Sequence, residues 1–291
     1  MNEVAVPEDV PVWKYILIAV LPLGLALPVG FVLSALLVHA ALVLRGLEPW
    51  NMDPASLLSA FGALELSLGG LGNQLAFVAL VSPALLRPER RAHLLGRGSS
   101  LSVAVLASLG MYSLSAFLSV VVVVLGLEHH GTLGQLNDVI AHLTVTERMQ
   151  LLPVLAVSAG LTEELFFRGL LFRRLQAVCS PRVTVFVTAI AFGMAHLDLV
   201  HSSAAFVMGL FLGWLRLRSG SVWPGVVAHI FSNAAVVLTH AWLDQVSDVP
   251  SFGLLAGATV FGLTLWALKP RWPRELSEEY RPQPRSSADP G

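Results

Sequence analysis

Three short stretches of the chain carry polar groups of the kinds that activate water, each set within an apolar run. They are Leu161-Thr162-Glu163-Glu164-Leu165-Phe166-Phe167-Arg168-Gly169, Phe192-Gly193-Met194-Ala195-His196 and His229-Ile230-Phe231-Ser232-Asn233. On a helix, Glu164 and Arg168 stand four apart on one face and can pair. Glu163 points about 100° away and is left to face another neighbour. His229 and Asn233 share the same four-residue spacing and project together. A carboxylate, two imidazoles and an amide are the parts of a hydrolytic site. Glu163 can act as general base on a water, and a histidine can hold that water or move its proton. Asn233, with a histidine, can donate to a developing oxyanion. Glu163, His196 and His229 would equally suit a Zn²⁺ ion with one position open for water, so metal-dependent and metal-free chemistry both stay open.

The elements that must position these groups are membrane helices. Of 291 residues, 55% are hydrophobic and 13% charged, about half the charge of a soluble domain. Mean hydropathy is +0.72. This composition excludes a soluble globular domain and a disordered chain. The net charge of −1 offers no basic surface for nucleic acid. The single cysteine, Cys179, permits no intrachain disulfide. Eight apolar runs read as spans, at roughly 13–44, 55–86, 101–126, 149–174, 181–197, 202–217, 222–242 and 252–268. Their continuity argues for helices over barrel strands, which would alternate. The first, kinked at Pro22 and Pro28, is too long for a signal-peptide core and reads as an anchor.

The expected class is an all-α polytopic membrane protein with about eight transmembrane helices, in the inner (plasma) membrane. With both termini cytoplasmic, fifteen Lys and Arg fall inside and two, Arg45 and Arg148, outside; Arg168 lies within a span. The chain divides into an N-terminal tail (1–12), N-terminal transmembrane helices (13–126), an outer loop (127–148), a catalytic transmembrane core (149–268) and a flexible cytoplasmic tail (269–291). A short interfacial helix is expected in the outer loop at 133–143.

Ionisable groups inside a bilayer cost at least ~2.5–3.5 kcal/mol each on insertion scales, so three charges within six residues are hard to explain as packing. Taken in order, Glu163-Glu164-x-x-x-Arg168, Phe192-x-x-x-His196 and His229-x-x-x-Asn233 resemble the three motifs of the CAAX-protease and bacteriocin-processing (CPBP, or Abi) intramembrane endopeptidases. That family includes the type II CAAX prenyl endopeptidases. The resemblance covers about residues 149–242. It implies that Glu163 activates the water, that His196 helps to hold it, and that His229 and Asn233 form the oxyanion side. Glu164 and Arg168 would hold the architecture. The implied activity is cleavage of a peptide bond in a membrane-associated peptide or protein tail. Two readings compete: a non-catalytic, bacteriocin-immunity-type membrane protein, and a sorting or transpeptidase variant of the same family. A proton-coupled transporter would want an inverted repeat, and the sequence shows none.

The remaining polar residues read as structural. Glu65 is expected to make a helix–helix hydrogen bond, as the neutral acid. His39 and His240 would face span ends, and His129, His130 and His142 would be solvated. Asp198 and His201 are assigned to the turn between spans five and six. Gly69-Gly70-Leu71-Gly72 reads as close helix packing, and Cys179 has no assigned role. One tension remains. At about 1.5 Å per residue, His196 would lie about 22 Å deep in span five, and His229 only about 10 Å into span seven.

Overall fold

The computed structural model describes residues 12–128, 130–243 and 250–269, and among these the chain is helical. The expected tails, His129 and the side chain of His240 lie outside the described residues. Apart from two short helical turns at Pro49–Asn51 and Pro54–Ser59, ten helical elements follow in order among the described residues. They are α1 (Val12–Leu44), α2 (Ala63–Leu85), α3 (Pro88–Leu95), α4 (Leu101–Val124) and α5 (Gly131–His142). The rod α6 runs without a break through Val145–Leu151, Leu152–Ser158, Ala159–Glu164, Leu165–Leu171 and Phe172–Gln176. Then come α7 (Pro181–Met194), α8 (Leu199–Ser219), α9 (Trp223–Leu243) and α10 (Pro250–Leu268). The long helices fall on the eight apolar runs, and α5 falls on the helix expected in the outer loop. The protein is thus an all-α polytopic membrane protein.

By length and composition alone, four helical stretches among the described residues can cross a membrane: Ala19–Leu44, Ala63–Leu85, Leu101–Val124 and Leu199–Ser219. Those at Pro181–Met194, Trp223–Thr239 and Gly253–Leu268 are apolar but shorter. The outward face of α1 is a row of Leu17, Leu21, Leu25, Phe31, Val32 and Leu36, each more than half exposed. Such a face is stable in lipid and not in water.

Where lipid replaces water, helix association depends on close packing rather than on hydrophobic burial. Gly72 shows how α1 and α2 achieve it: a Cβ there would lie 2.3 Å from the Ser34 backbone nitrogen. The glycine run is therefore a packing seam, as its composition suggested. Gly193 does the same for α7 and α8, since a Cβ would lie 2.7 Å from the Ser202 carbonyl.

The rod α6 sits at the centre, against α2, α7, α8 and α9. Its Phe166, Phe167, Leu171 and Leu175 pack with Leu23 of α1, Phe77 of α2 and Phe192 of α7 in one buried cluster. The rod begins in a capping box, in which the Thr144 hydroxyl accepts from the Glu147 N–H and the Glu147 carboxylate accepts from the Thr144 N–H.

Three charges depart from their expected places. Glu65 is not a neutral partner of another helix. It stands in the first turn of α2, where it caps the Gly62 N–H at 3.0 Å and forms a 2.8 Å ion pair with Arg45. Arg148, counted as an outer-loop charge, is buried and donates to the carbonyls of Ile140 and Ala141 at the end of α5. Arg216, counted among the inner charges, is buried against α6. Each guanidinium satisfies carbonyls left open at helix ends or wide turns. Counting charges cannot distinguish that use from a loop facing water.

Candidate active site

The glutamate pair lies on one turn of α6, Ala159–Glu164. Helix α9 comes unusually close to it. A Cβ on Gly160 would lie 2.8 Å from the Ile230 backbone nitrogen, so only glycine lets the His229 turn approach the glutamates.

The two glutamates have separate environments. Glu164 is fully enclosed and pairs with Arg168 at 2.8 Å, the i,i+4 contact that the spacing implied. Arg168 also donates to the Gly209 carbonyl of α8 at 3.2 Å, and its guanidinium lies 4.4 Å from the centre of the Phe192 ring. The side chain of Glu163 keeps 19% of its surface exposed. It is the carboxylate that a water or a substrate can reach.

His229 connects the two. Its Nδ1 lies 3.3 Å from Glu164 Oε1. An ionised carboxylate can only accept, so Nδ1 is the donor here, which in a neutral imidazole leaves the lone pair on Nε2. Nε2 lies 3.9 Å from Glu163 Oε2, too far for a direct hydrogen bond. Asn233, one turn on, donates its Nδ2 to the Leu155 carbonyl of α6 at 3.0 Å.

His196 falls just beyond the end of α7. Its Nδ1 meets the Phe192 carbonyl at 2.9 Å, which again places the proton on Nδ1 and leaves Nε2 open. The Phe192 ring stands edge-on to both imidazoles, with centroids 5.1 Å from His196 and 5.8 Å from His229. The difference in depth computed from span lengths therefore closes around one phenylalanine. Helix α7 has 14 residues, and the chain turns sharply after it at Leu197, whose φ is +53°.

His201 does not belong to that turn. Asp198 caps α8 by accepting the His201 N–H at 2.7 Å, so His201 is already helical and its ring reaches within 4.3 Å of the His196 ring. The cap signal, an Asp three residues before a helical His, was present in the sequence. Nothing there showed that the two rings would meet. His39 packs on Trp50, while His130 and His142 are exposed. Cys179 sits between α6 and α7, where burial pushes its thiol above the usual range.

Among the described residues, no three His, Cys, Asp or Glu side chains are gathered as a metal-ligand set. Glu163, His196 and His229 are not gathered as such a set in this arrangement.

This fold and this cluster define a helical membrane protein whose glutamates and histidines converge from three helices. Residues 146–235, which contain all three motifs, match the sequence model of the family described as type II CAAX prenyl endopeptidase Rce1-like. The resemblance read from the motifs is therefore borne out over that stretch. A curated relative, the Bacillus subtilis protein named "Putative membrane peptidase YdiL", is 27% identical over 99 residues. The alignment spans 34% of this chain and 41% of that relative. No solved structure matches the chain.

Proposed function

We propose that the chain is an intramembrane endopeptidase of the plasma membrane, cleaving a peptide bond in a membrane-associated peptide or protein tail. The observation that carries this reading is the contrast between the glutamates. Glu164 is locked by Arg168 and orients His229, while Glu163 keeps exposed surface opposite the open nitrogen of that histidine. Two acceptors 3.9 Å apart suit one water that donates a proton to each. Its lone pairs then remain free for attack.

In this mechanism Glu163 takes the proton as the water oxygen bonds to the scissile carbonyl carbon, and the carbonyl becomes an oxyanion. The C–N bond then breaks, and Glu163 returns the proton to the leaving amine. With their Nδ1 protons given to Glu164 and to the Phe192 carbonyl, His229 and His196 hold the water as acceptors through Nε2. Asn233 keeps a second N–H beyond the one given to Leu155, and that N–H serves the oxyanion side. No step runs through a metal ion.

The family match over residues 146–235 and the peptidase description of the relative support the same class. The sorting variant needs a covalent nucleophile. Cys179 lies sixteen positions beyond Glu163, past the end of the rod at Gln176, and its raised thiol pKa disfavours attack.

The test is cleavage of a reporter peptide library in proteoliposomes by wild type and by Glu163→Gln. The mechanism predicts a loss of at least ~10³-fold in kcat with the folded yield unchanged. Equal turnover by both proteins would refute it. Absence of any cleavage, together with a cellular protection phenotype that survives Glu163→Gln, would favour the immunity-type alternative.

A further inference from the structure

The rod that carries the glutamates is not α-helical throughout. The turn Ala159–Glu164 is bracketed by two π-helical segments, Leu152–Ser158 and Leu165–Leu171. The Ala159 N–H reaches back five residues to the Val154 carbonyl, and the Phe172 N–H reaches Phe167 in the same way. Pro153 accounts for the first widening, because it lacks an N–H and its ring crowds the preceding turn.

A π segment leaves carbonyls tilted off the helix axis, and here side chains from three other helices take them. Gln74 of α2 donates Nε2 to the Val154 carbonyl at 2.9 Å. Asn233 of α9 donates to Leu155 at 3.0 Å. Arg216 of α8 donates Nε to the Arg168 carbonyl at 3.0 Å. Gln74 and Arg216 lie outside the three motifs, yet both are almost completely buried, at 4% and 2% exposure. Each inserted residue in a π turn rotates everything beyond it by about 100° relative to an unbroken α-helix. That is the angle separating Glu163 from Glu164. If the first widening were lost, α9 would face a different residue of the rod.

We propose that Gln74 and Arg216 are positioning residues that pin the two wide turns of α6 and so fix the direction of Glu163. The N-terminal helices thereby enter the site's geometry through Gln74. The proposal rests on the peptidase reading for its kinetic consequence and on geometry alone for its structural one.

The experiment uses full-length protein in nanodiscs and two readouts. Gln74→Met keeps length and removes the donor. Gln74→Asn keeps the amide but is one methylene too short to reach Val154. Arg216→Lys keeps the charge but has no Nε–H. Each is expected to lower kcat by up to ~10²-fold with KM within about twofold of wild type. Each also shifts the infrared carboxyl band of Glu163, identified by its disappearance in Glu163→Gln. A generally loosened fold would move KM and stability and would broaden the band rather than shift it. An unmoved band in Gln74→Met and in Gln74→Asn overturns the proposal; if Gln74→Met fails to fold, Gln74→Asn decides by the same criterion. The infrared readout needs no substrate. A moved band in a protein that cleaves nothing sinks the peptidase reading and keeps this one. An unmoved band in an active enzyme sinks this one alone.

Discussion

Removing Arg168 should be among the most damaging single changes in the protein, and the structure sets the size of the effect. Arg168→Met deletes the 2.8 Å ion pair to Glu164 and the 3.2 Å bond to the Gly209 carbonyl. It also deletes the cation stacked 4.4 Å from the Phe192 ring centre. What remains is a carboxylate with no exposed surface whose one partner is His229 Nδ1 at 3.3 Å. Breaking a buried pair from one side costs about 3–5 kcal/mol, because the surviving charge has lost its compensation. At ~1.4 kcal/mol per decade, that shifts the folded-to-unfolded ratio by roughly two to three and a half orders of magnitude. The assay is SDS-induced unfolding of bicelle-reconstituted protein followed by circular dichroism. The double variant Glu164→Met/Arg168→Met separates pairing from mere occupancy. Apolar replacements of similar volume remove both charges at once, so the double variant should be more stable than Arg168→Met alone. It should nevertheless stay inactive, since His229 has lost the carboxylate that holds its Nδ1. A cost under ~1 kcal/mol for Arg168→Met, or a double variant less stable than the single, would refute the buried-pair argument. Restored cleavage in the double variant would refute the role of Glu164 in orienting His229.

Other consequences follow from the same contacts. Gly160→Val should cost roughly 1–3 kcal/mol and also abolish cleavage, because the added side chain must push α9 away from the glutamates; unfolding titration and turnover check it together. Asn233→Leu removes the side-chain donor from the half-buried Leu155 carbonyl, and the same titration should read a loss of about 0.5–1.5 kcal/mol. The capping box at the start of α6 gives a pH effect. Hydrogen bonds from Thr144 hold the Glu147 carboxyl below its ordinary value of 4.5. Its contribution is therefore fully present above about pH 4.5 and is lost as pH falls through the depressed native value. Amide exchange at Glu147 and Arg148, corrected for intrinsic rates, should accelerate over that acidic range. In Thr144→Ala it should be fast at all pH values.

What the sequence disclosed follows from what helical periodicity encodes. Spacing within one helix fixes which side chains share a face. The pairing of Glu164 with Arg168, the separate direction of Glu163 and the close approach at Gly72 were therefore all legible. Apolar run length placed the helices but not their partners. Glu65 looked like an intramembrane acid because a hydropathy window cannot see that it sits in a first turn, where the Gly62 N–H and Arg45 are both within reach. His201 was set aside as a turn residue because the helix it begins was drawn a few positions too late.

The donors that meet main-chain carbonyls were beyond reach for a more general reason. Gln74, Arg148, Arg216 and Asn233 all spend a hydrogen-bonding group on a carbonyl of another helix or turn. Nothing in the side-chain pattern of a helix announces which of its carbonyls will be free. The one sequence cue is Pro153, which predicts a break in α6 without saying which residue will take the exposed oxygens. In a bilayer those oxygens cannot turn to water, and an unpaired one costs several kcal/mol. A proline placed two to three turns before the glutamates therefore obliges other helices to supply donors at defined heights. The donors in turn fix how those helices dock around the rod. On this argument the widened turns are the reason that a glutamine from α2 and an asparagine from α9 meet at the same stretch of α6, just ahead of the turn that carries Glu163.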